Sequence, residues 1–422
     1  MGTPDVITNK KVCGLFAGIG GLELGLHKAG FRTSALCEID PAASAVLRHR
    51  FPEAVIHADI ERLGVLPEAE IVTAGFPCQD LSMAGYKSGI KGRRSSLVMT
   101  MFNLLRKANF AGRRPRWLVV ENVPYMLHLR RGEAMKLVTD ELSSLGYRWA
   151  YRVVDARAFG VPQRRLRVML VASPTEDPRR VLFAGNHECP SDDSTDVTDP
   201  SLAYGFYWTE GKRGLGWTVD GVPTIKGGST IGIPSPPAIW IRESGDVGTP
   251  DIRDLERLQG FPAGWTIMAA CREEGGCRSA RWRLVGNAVC AKVAAWLGLQ
   301  LRGGGRAWAC DSAPISALRW PNAASGGPGI ATVGSSLSSW PVHRQRKPLR
   351  EFLRYELKPL SFRASAGYLN RASQATALNF PDGFLEAIHR HALNMADDSA
   401  DRNALSQPFM RRKPRQLQLF IR

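Results

Sequence analysis

The sequence predicts an α/β protein: a doubly wound, mostly parallel sheet, a smaller loop- or β-rich unit and a C-terminal extension. Three observations carry this. Short apolar runs alternate with helical patterns from Val12 to Ala172, as in strand–helix–strand units. Between the first two runs, Leu22, Gly25, Leu26 and Ala29 keep one helical face. After Ser173 the periodicity gives way to Gly, Pro, Asp, Ser and Trp over 173–250.

Strands are expected at 12–16, 34–38, 54–59, 71–75, 117–121, 151–155 and 168–172. The last two lie so close together that an antiparallel hairpin at one sheet edge is expected. Helical periodicity returns at 251–262 and 286–301. A further helix puts Phe384, Ile388, His391 and Met395 on one face after Pro381-Asp382. The expected division is a first unit at 1–172, completed by 286–302, and a second at 173–285. Residues 303–345 read as a Gly/Ser/Ala-rich linker or irregular arm, 346–397 as a helical extension, and 398–422 as a disordered basic tail.

The 422 residues are 44% apolar, enough for a sizeable core. Lys and Arg number 56 against 39 acids, a net charge of +17. That balance favours a polyanionic partner such as nucleic acid. No apolar run approaches the ~18 residues of a membrane helix, and the N-terminus has no signal-peptide core, so a cytoplasmic, nucleoid-associated protein without a membrane partner is expected. The 8 cysteines are scattered and form no disulfide framework. Cys271 and Cys277 lack a second Cys/His pair, so no metal is expected.

In an open α/β sheet, ligands bind beyond the carboxyl ends of the strands. The unusual residues collect there. The first strand ends in "FAGIGG", Phe16 to Gly21, whose glycines allow a cofactor to approach the backbone at a helix N-terminus. The second ends in Glu38, about 20 residues on, where a ribose-binding acid belongs. The third ends in Asp59, suited to accept from an adenine amino group. Either acid alone would serve equally well as a helix cap; in register they suggest an adenosine cofactor. The fourth strand leads into "GFPCQDLSMAG" with Cys78, which by itself reads as core filler, metal ligand or nucleophile. The fifth delivers "ENV" with Glu121, and the hairpin carries "QRRLR", Gln163 to Arg167. A lone buried Glu is costly without a partner.

These motifs, in this order over about the first 300 residues, resemble the C5-cytosine-specific DNA methyltransferases of bacterial and phage type. The resemblance implies a Rossmann-like, S-adenosylmethionine-dependent methyltransferase fold with a smaller target-recognition domain. "FAGIGG" resembles the cofactor loop, "GFPCQDLSMAG" the nucleophile loop, "ENV" the catalytic Glu motif and "QRRLR" the base-contacting arginines. "RDLERLQGFP" resembles the helix supporting target recognition, and "GNAV" the late segment returning to the cofactor pocket.

The resemblance makes Cys78, Glu121, Arg165 and Arg167 the catalytic set. Methyl transfer to C5 is difficult unless a thiolate first adds to C6, which splits the reaction into easier steps. Glu121 would stabilise the intermediate at N3. Arg165 and Arg167 would contact the base, orient Glu121 and favour the thiolate. Phe16, Ala17, Gly18, Gly20, Gly21, Glu38, Ile39, Asp59, Ile60, Pro77, Leu97 and Asn287 would approach S-adenosylmethionine. Ile39 departs from the family, which often has a Trp there to stack on adenine.

The target atom is buried in a duplex, so the cytosine must be flipped out. Lys87, Arg93 and Arg94 on the glycine-hinged loop 85–98 would meet DNA, as would Ser82 in the nucleophile loop, with Arg164 and, from "VPTIKGGS", Thr224, Lys226 and Gly227. The expected partner is double-stranded DNA, read by a monomer that is either an orphan methylase or part of a restriction–modification system with a cognate endonuclease. "QLQLF", with Gln416, Leu417, Leu419 and Phe420, resembles the peptide by which bacterial proteins dock on the DNA sliding clamp. Two alternatives stand beside this reading. RNA methylation is disfavoured by the sizeable insert before "RDLERLQGFP", and a non-catalytic DNA-binding relative by the presence of Cys78, Glu121 and both arginines.

Overall fold

The computed structural model describes residues 10–77, 96–190, 199–211, 214–228, 236–272, 277–303, 305, 307–315, 319–375, 378–397 and 401. Five parallel strands form its centre: β1 (Lys11–Leu15), β2 (Arg32–Cys37), β3 (Val55–His57), β4 (Ile71–Ala74) and β5 (Trp117–Asn122). Their order is β5-β4-β1-β2-β3. β4 and β5 are buried along their whole length, as strands covered on both faces must be. The order reverses at β1/β4, the place where such sheets bind ligands.

Helices α1 (Gly21–Lys28), α2 (Pro41–Arg50), α3 (Ser96–Phe110) and α4 (Glu133–Ser144) connect these strands and flank the sheet. Asp40 caps α2 by accepting from the Ala42 and Ala43 amides, with Pro41 at the first helical position. β7 (Leu166–Ser173) pairs antiparallel with β5, and β6 (Arg148–Asp155) pairs antiparallel with β7.

The hairpin does not end the sheet, and the segment 303–345 is not a linker. Within it, β12 (Ser312–Pro314), β13 (Ala323–Gly327) and β14 (Ile330–Ser335) extend the sheet beyond β6 to ten strands. The sheet is therefore mixed rather than mostly parallel. Burial explains the attachment. Trp320, 7% exposed, packs edge-on against Trp149 and Tyr151 of β6. Arg152 of β6 is fully buried and donates to the carbonyls of Leu182, Gly185 and Ser338.

The second sheet holds β8 (Ala203–Phe206), β9 (Trp217–Val219), β10 (Ala238–Ile241) and β11 (Val247–Thr249). The extension completes it: β15 (Lys358–Pro359) pairs with β11. Helices α8 (Phe362–Ser373) and α9 (Phe384–Asn394) bury Tyr368, Phe384 and Ile388 against Tyr204, Phe206 and Trp240. A short parallel pairing of Gln163–Arg164 with Val222–Pro223 joins the two sheets.

Helix α5 (Ile252–Leu258) stops before the expected end at 262, and α6 (Cys277–Asn287) and α7 (Ala291–Gly303) replace the helix expected at 286–301. The span Ala280–Gly303 is, contrary to expectation, long and apolar enough to cross a membrane, yet 67% of its apolar window is buried in the fold. α7 packs tightly on α1, where Gly25 and Gly298 leave no room for a Cβ against Ala294 and Ala29.

Candidate active site

Strand register builds the site. Leu15 pairs with Cys37 and Ala74, and Ala74 with Val120. The following residues, Phe16, Glu38, Gly75 and Glu121, therefore emerge along one edge.

The loop after β1 is shaped for a ligand. Phe16 and Gly18 have positive φ, 54° and 57°. A Cβ on Gly18 would meet nothing within 4 Å among the described residues. Gly20 (φ 80°) is structural instead, since its Cβ would fall 2.4 Å from the Phe51 ring. Gly21 abuts the Val289 carbonyl, and the Ala17 amide donates to Cys37. Glu38 accepts from the Gly18 amide at 2.7 Å and the Asp40 amide at 2.8 Å. Burial pushes its carboxyl above the ordinary value. Ile39 beside it is 75% exposed, an apolar side chain open to an apolar ligand surface. Asp59 caps a short turn by accepting from the Glu61 amide, so capping accounts for one of its oxygens. Ile60 is buried, Pro77 exposed and Leu97 half-buried against the main core.

Glu121 is 8% exposed. Arg167 Nε lies 2.9 Å from its Oε1 in a buried ion pair. Burial lowers the Arg167 pKa, and the Glu121 charge opposes that. Oε2 faces Gly75, 3.9 Å from where its Cβ would be. Asn122 donates to the Phe76 carbonyl at 3.1 Å, fastening the end of β5 to the segment that leads to Cys78.

Arg165 is anchored by backbone carbonyls. It is 1% exposed and donates to the carbonyls of Ile225 (2.9 Å), Ala288 (2.7 Å) and Gly286 (3.3 Å). Burial, then the nearby Arg167 charge, brings its pKa down to about 9. It is a strut between the hairpin, the 224–227 segment and "GNAV". Gln163 and Gln259 complete this junction, and sequence reasoning gave neither a role. Gln163 Nε2 donates to the Leu258 carbonyl and to Gln259 Oε1, and its Oε1 accepts from the Ile225 amide. Gln259 donates on to the Val285 carbonyl. The available signal was a Gln in each of two otherwise buried turns.

The 224–227 segment lies against the same junction. Thr224 donates its hydroxyl to the Arg164 carbonyl. Lys226 pairs with Glu210 at 3.0 Å and sits 4.2 Å from the Tyr207 ring centre. Gly227 abuts the exposed Asn287, whose side chain leaves no room for a Cβ. Cys78, Ser82, Lys87, Arg93 and Arg94 lie outside the described residues, as do Gln416, Leu417, Leu419 and Phe420. The side chains of Cys271 and Cys277 are likewise not described.

Comparison with known proteins decides the family. The profile of the C-5 cytosine-specific DNA methylase family matches residues 10–200. The type II methyltransferase M2.BsuMI of Bacillus subtilis is 49% identical over 90% of this chain and 97% of its own. The chain belongs to the C-5 cytosine-specific DNA methylases. Other relatives of this methylase align over less of it: M.NgoBV of Neisseria gonorrhoeae is 32% identical over 40% of this chain and 42% of its own. Among solved structures, the Dnmt2 methyltransferase of S. pombe covers 69% of the chain and 98% of itself with a TM-score of 0.50. At 17% identity that likeness bears on the fold alone.

Proposed function

We propose that this methylase transfers a methyl group from S-adenosylmethionine to C5 of a flipped cytosine in a short, specific duplex DNA sequence. The observation that supports this best is the Glu121–Arg167 pair, buried on the same strand edge as the Gly18–Glu38 cradle. The cradle fits the cofactor. Glu38 would take the ribose hydroxyls, the backbone at Gly18 would admit close approach, and Ile39 would cover the adenine. Bound there, the cofactor supplies an electrophilic methyl on sulfonium.

The chain's own groups would do the rest. Arg167 holds the Glu121 carboxyl in place, and Glu121 hydrogen-bonds the base at N3. Cys78, three residues beyond Gly75, adds through sulfur to C6, and C5 takes the methyl. Loss of the C5 proton and then of the thiolate restores the ring. Arg165 serves as a positioning residue, and Thr224, Lys226 and Gly227 face the base from the recognition side.

The test is incubation with labelled methyl donor and either duplex DNA or RNA, followed by bisulfite sequencing. Label on C5 of DNA cytosine supports the reading; label on RNA alone, or on adenine, overturns it. DNA containing 5-fluorocytosine should trap a covalent adduct that Cys78→Ser cannot form. Whether a cognate endonuclease accompanies the enzyme is decided by the sequence methylated, tested as protection against cleavage.

A further inference from the structure

Nine residues beyond Glu121, the backbone does something costly. Arg130 (φ 51°, ψ 46°), Arg131 (φ 57°, ψ 29°) and Gly132 (φ 93°, ψ −3°) are left-handed in succession. Arginine gains nothing locally from that conformation, which the Cβ disfavours. Strain of this kind persists only where surrounding structure over-determines it, and it clusters at working sites.

The surroundings that hold it are on the page. Met126 and Leu127 are buried in the main core on one side of the turn, and Ala134 and Met135 on the other. Trp320, from the added C-terminal strands, donates its indole N–H to the Gly132 carbonyl at 2.9 Å. What the turn presents is charge. Tyr125 is 63% exposed, and His128, Arg130 and Arg131 are exposed too. Neither arginine has an ion-pair partner among the described residues. The turn follows directly from the strand carrying Glu121, and residues 124–127 pack against β7, which carries Arg167.

We propose that the Arg130–Arg131 turn is a phosphate-binding contact for the backbone of the substrate DNA, locked outward by Trp320. This rests on the reading of the chain as acting on duplex DNA. Two guanidiniums held beside the catalytic edge would bind phosphates of any sequence and fix the position of the duplex. The strained backbone keeps both charges directed away from the core.

The test uses the full-length protein and a short duplex of arbitrary sequence, titrated at several salt concentrations. Arg130→Gln with Arg131→Gln removes both charges without changing the backbone demand. The log Kd against log salt slope should fall by about 2, the value for two phosphate contacts, and low-salt affinity by tenfold or more. Arg130→Gly with Arg131→Gly should lose the same slope while Tm rises by a few degrees. Arg130→Lys with Arg131→Lys should keep the slope. A Gln variant with wild-type slope and affinity overturns the proposal. Wild-type protein that fails to bind duplex DNA at all overturns the functional reading beneath it, a distinguishable result.

Discussion

Arg167 Nε stands 2.9 Å from Glu121 Oε1, with both side chains largely buried, at 15% and 10% exposure. Two strands far apart in sequence, β5 and β7, are paired to bring them together. Removing one partner of such a pair leaves a buried charge uncompensated. Arg167→Ala should slow methyl transfer about 10²-fold or more and lower Tm. Arg167→Lys should restore Tm better than rate, because Lys lacks the planar fork. Single-turnover kinetics beside thermal denaturation separate the two effects; an Ala variant with wild-type turnover excludes the pair from the chemistry.

The two loop glycines should part ways. Gly18→Ala meets no described residue within 4 Å and carries the conformational cost of its φ, about 1 kcal/mol. Its main effect should be weaker S-adenosylmethionine binding by calorimetry. Gly20→Ala collides with Phe51 and should cost about 2 kcal/mol or more in stability. Equal effects of both on Tm and on affinity contradict this division.

Gln163→Ala should destabilise by about 2–3 kcal/mol, because it strands the Ile225 amide and Gln259 Oε1 in a buried junction. Denaturant unfolding measures this, and a loss under about 0.5 kcal/mol rejects the junction as structural.

Glu23 is buried in the first turn of α1, behind the Phe16–Gly21 loop. Its Oε1 accepts from Thr73, and its Oε2 has no hydrogen-bond partner among the described residues. Burial raises its pKa above the ordinary 4.5. A carboxyl raised in the fold holds its proton more tightly there than in the unfolded chain. Its stabilising contribution is full below about 4.5 and is lost as pH rises through the folded value. Glu23→Gln should therefore raise Tm relative to wild type by a few degrees at pH 8, and less at pH 5. A difference independent of pH refutes this.

Deleting 416–422 should abolish retention on immobilised sliding clamp while leaving methylation of free DNA intact. Equal retention removes the tail from consideration.

Much of this was legible in the chain because it is local. β4 and β5 are apolar runs that end in the residues that matter, Gly75 and Glu121. Glu38 and the glycine loop follow from strand-end logic. The added strands were not legible. "AASGG" and "IATVGS" are small-residue stretches in a Gly- and Ser-rich segment, and their pairing is set by the distant edge of β6 and by Trp320. The carbonyl anchorage of Arg165 was hidden for a similar reason. The carbonyls that claim Arg165 lie at 225, 286 and 288, beyond the reach of any local pattern.

The attachment of β13 to β6 has a consequence for synthesis. The Tyr151 hydroxyl donates to the Pro321 carbonyl, 170 residues further along. At ribosomal speeds of about 5–20 residues per second, a nascent chain holds the β6 edge bare for roughly 10–30 s. Once β7 has been made, the strands that carry Glu121 and Arg167 are complete, yet the β6 edge offers an unpaired template to other chains. Chains released early, short of residue 335, should accumulate as aggregates rather than as a smaller working enzyme.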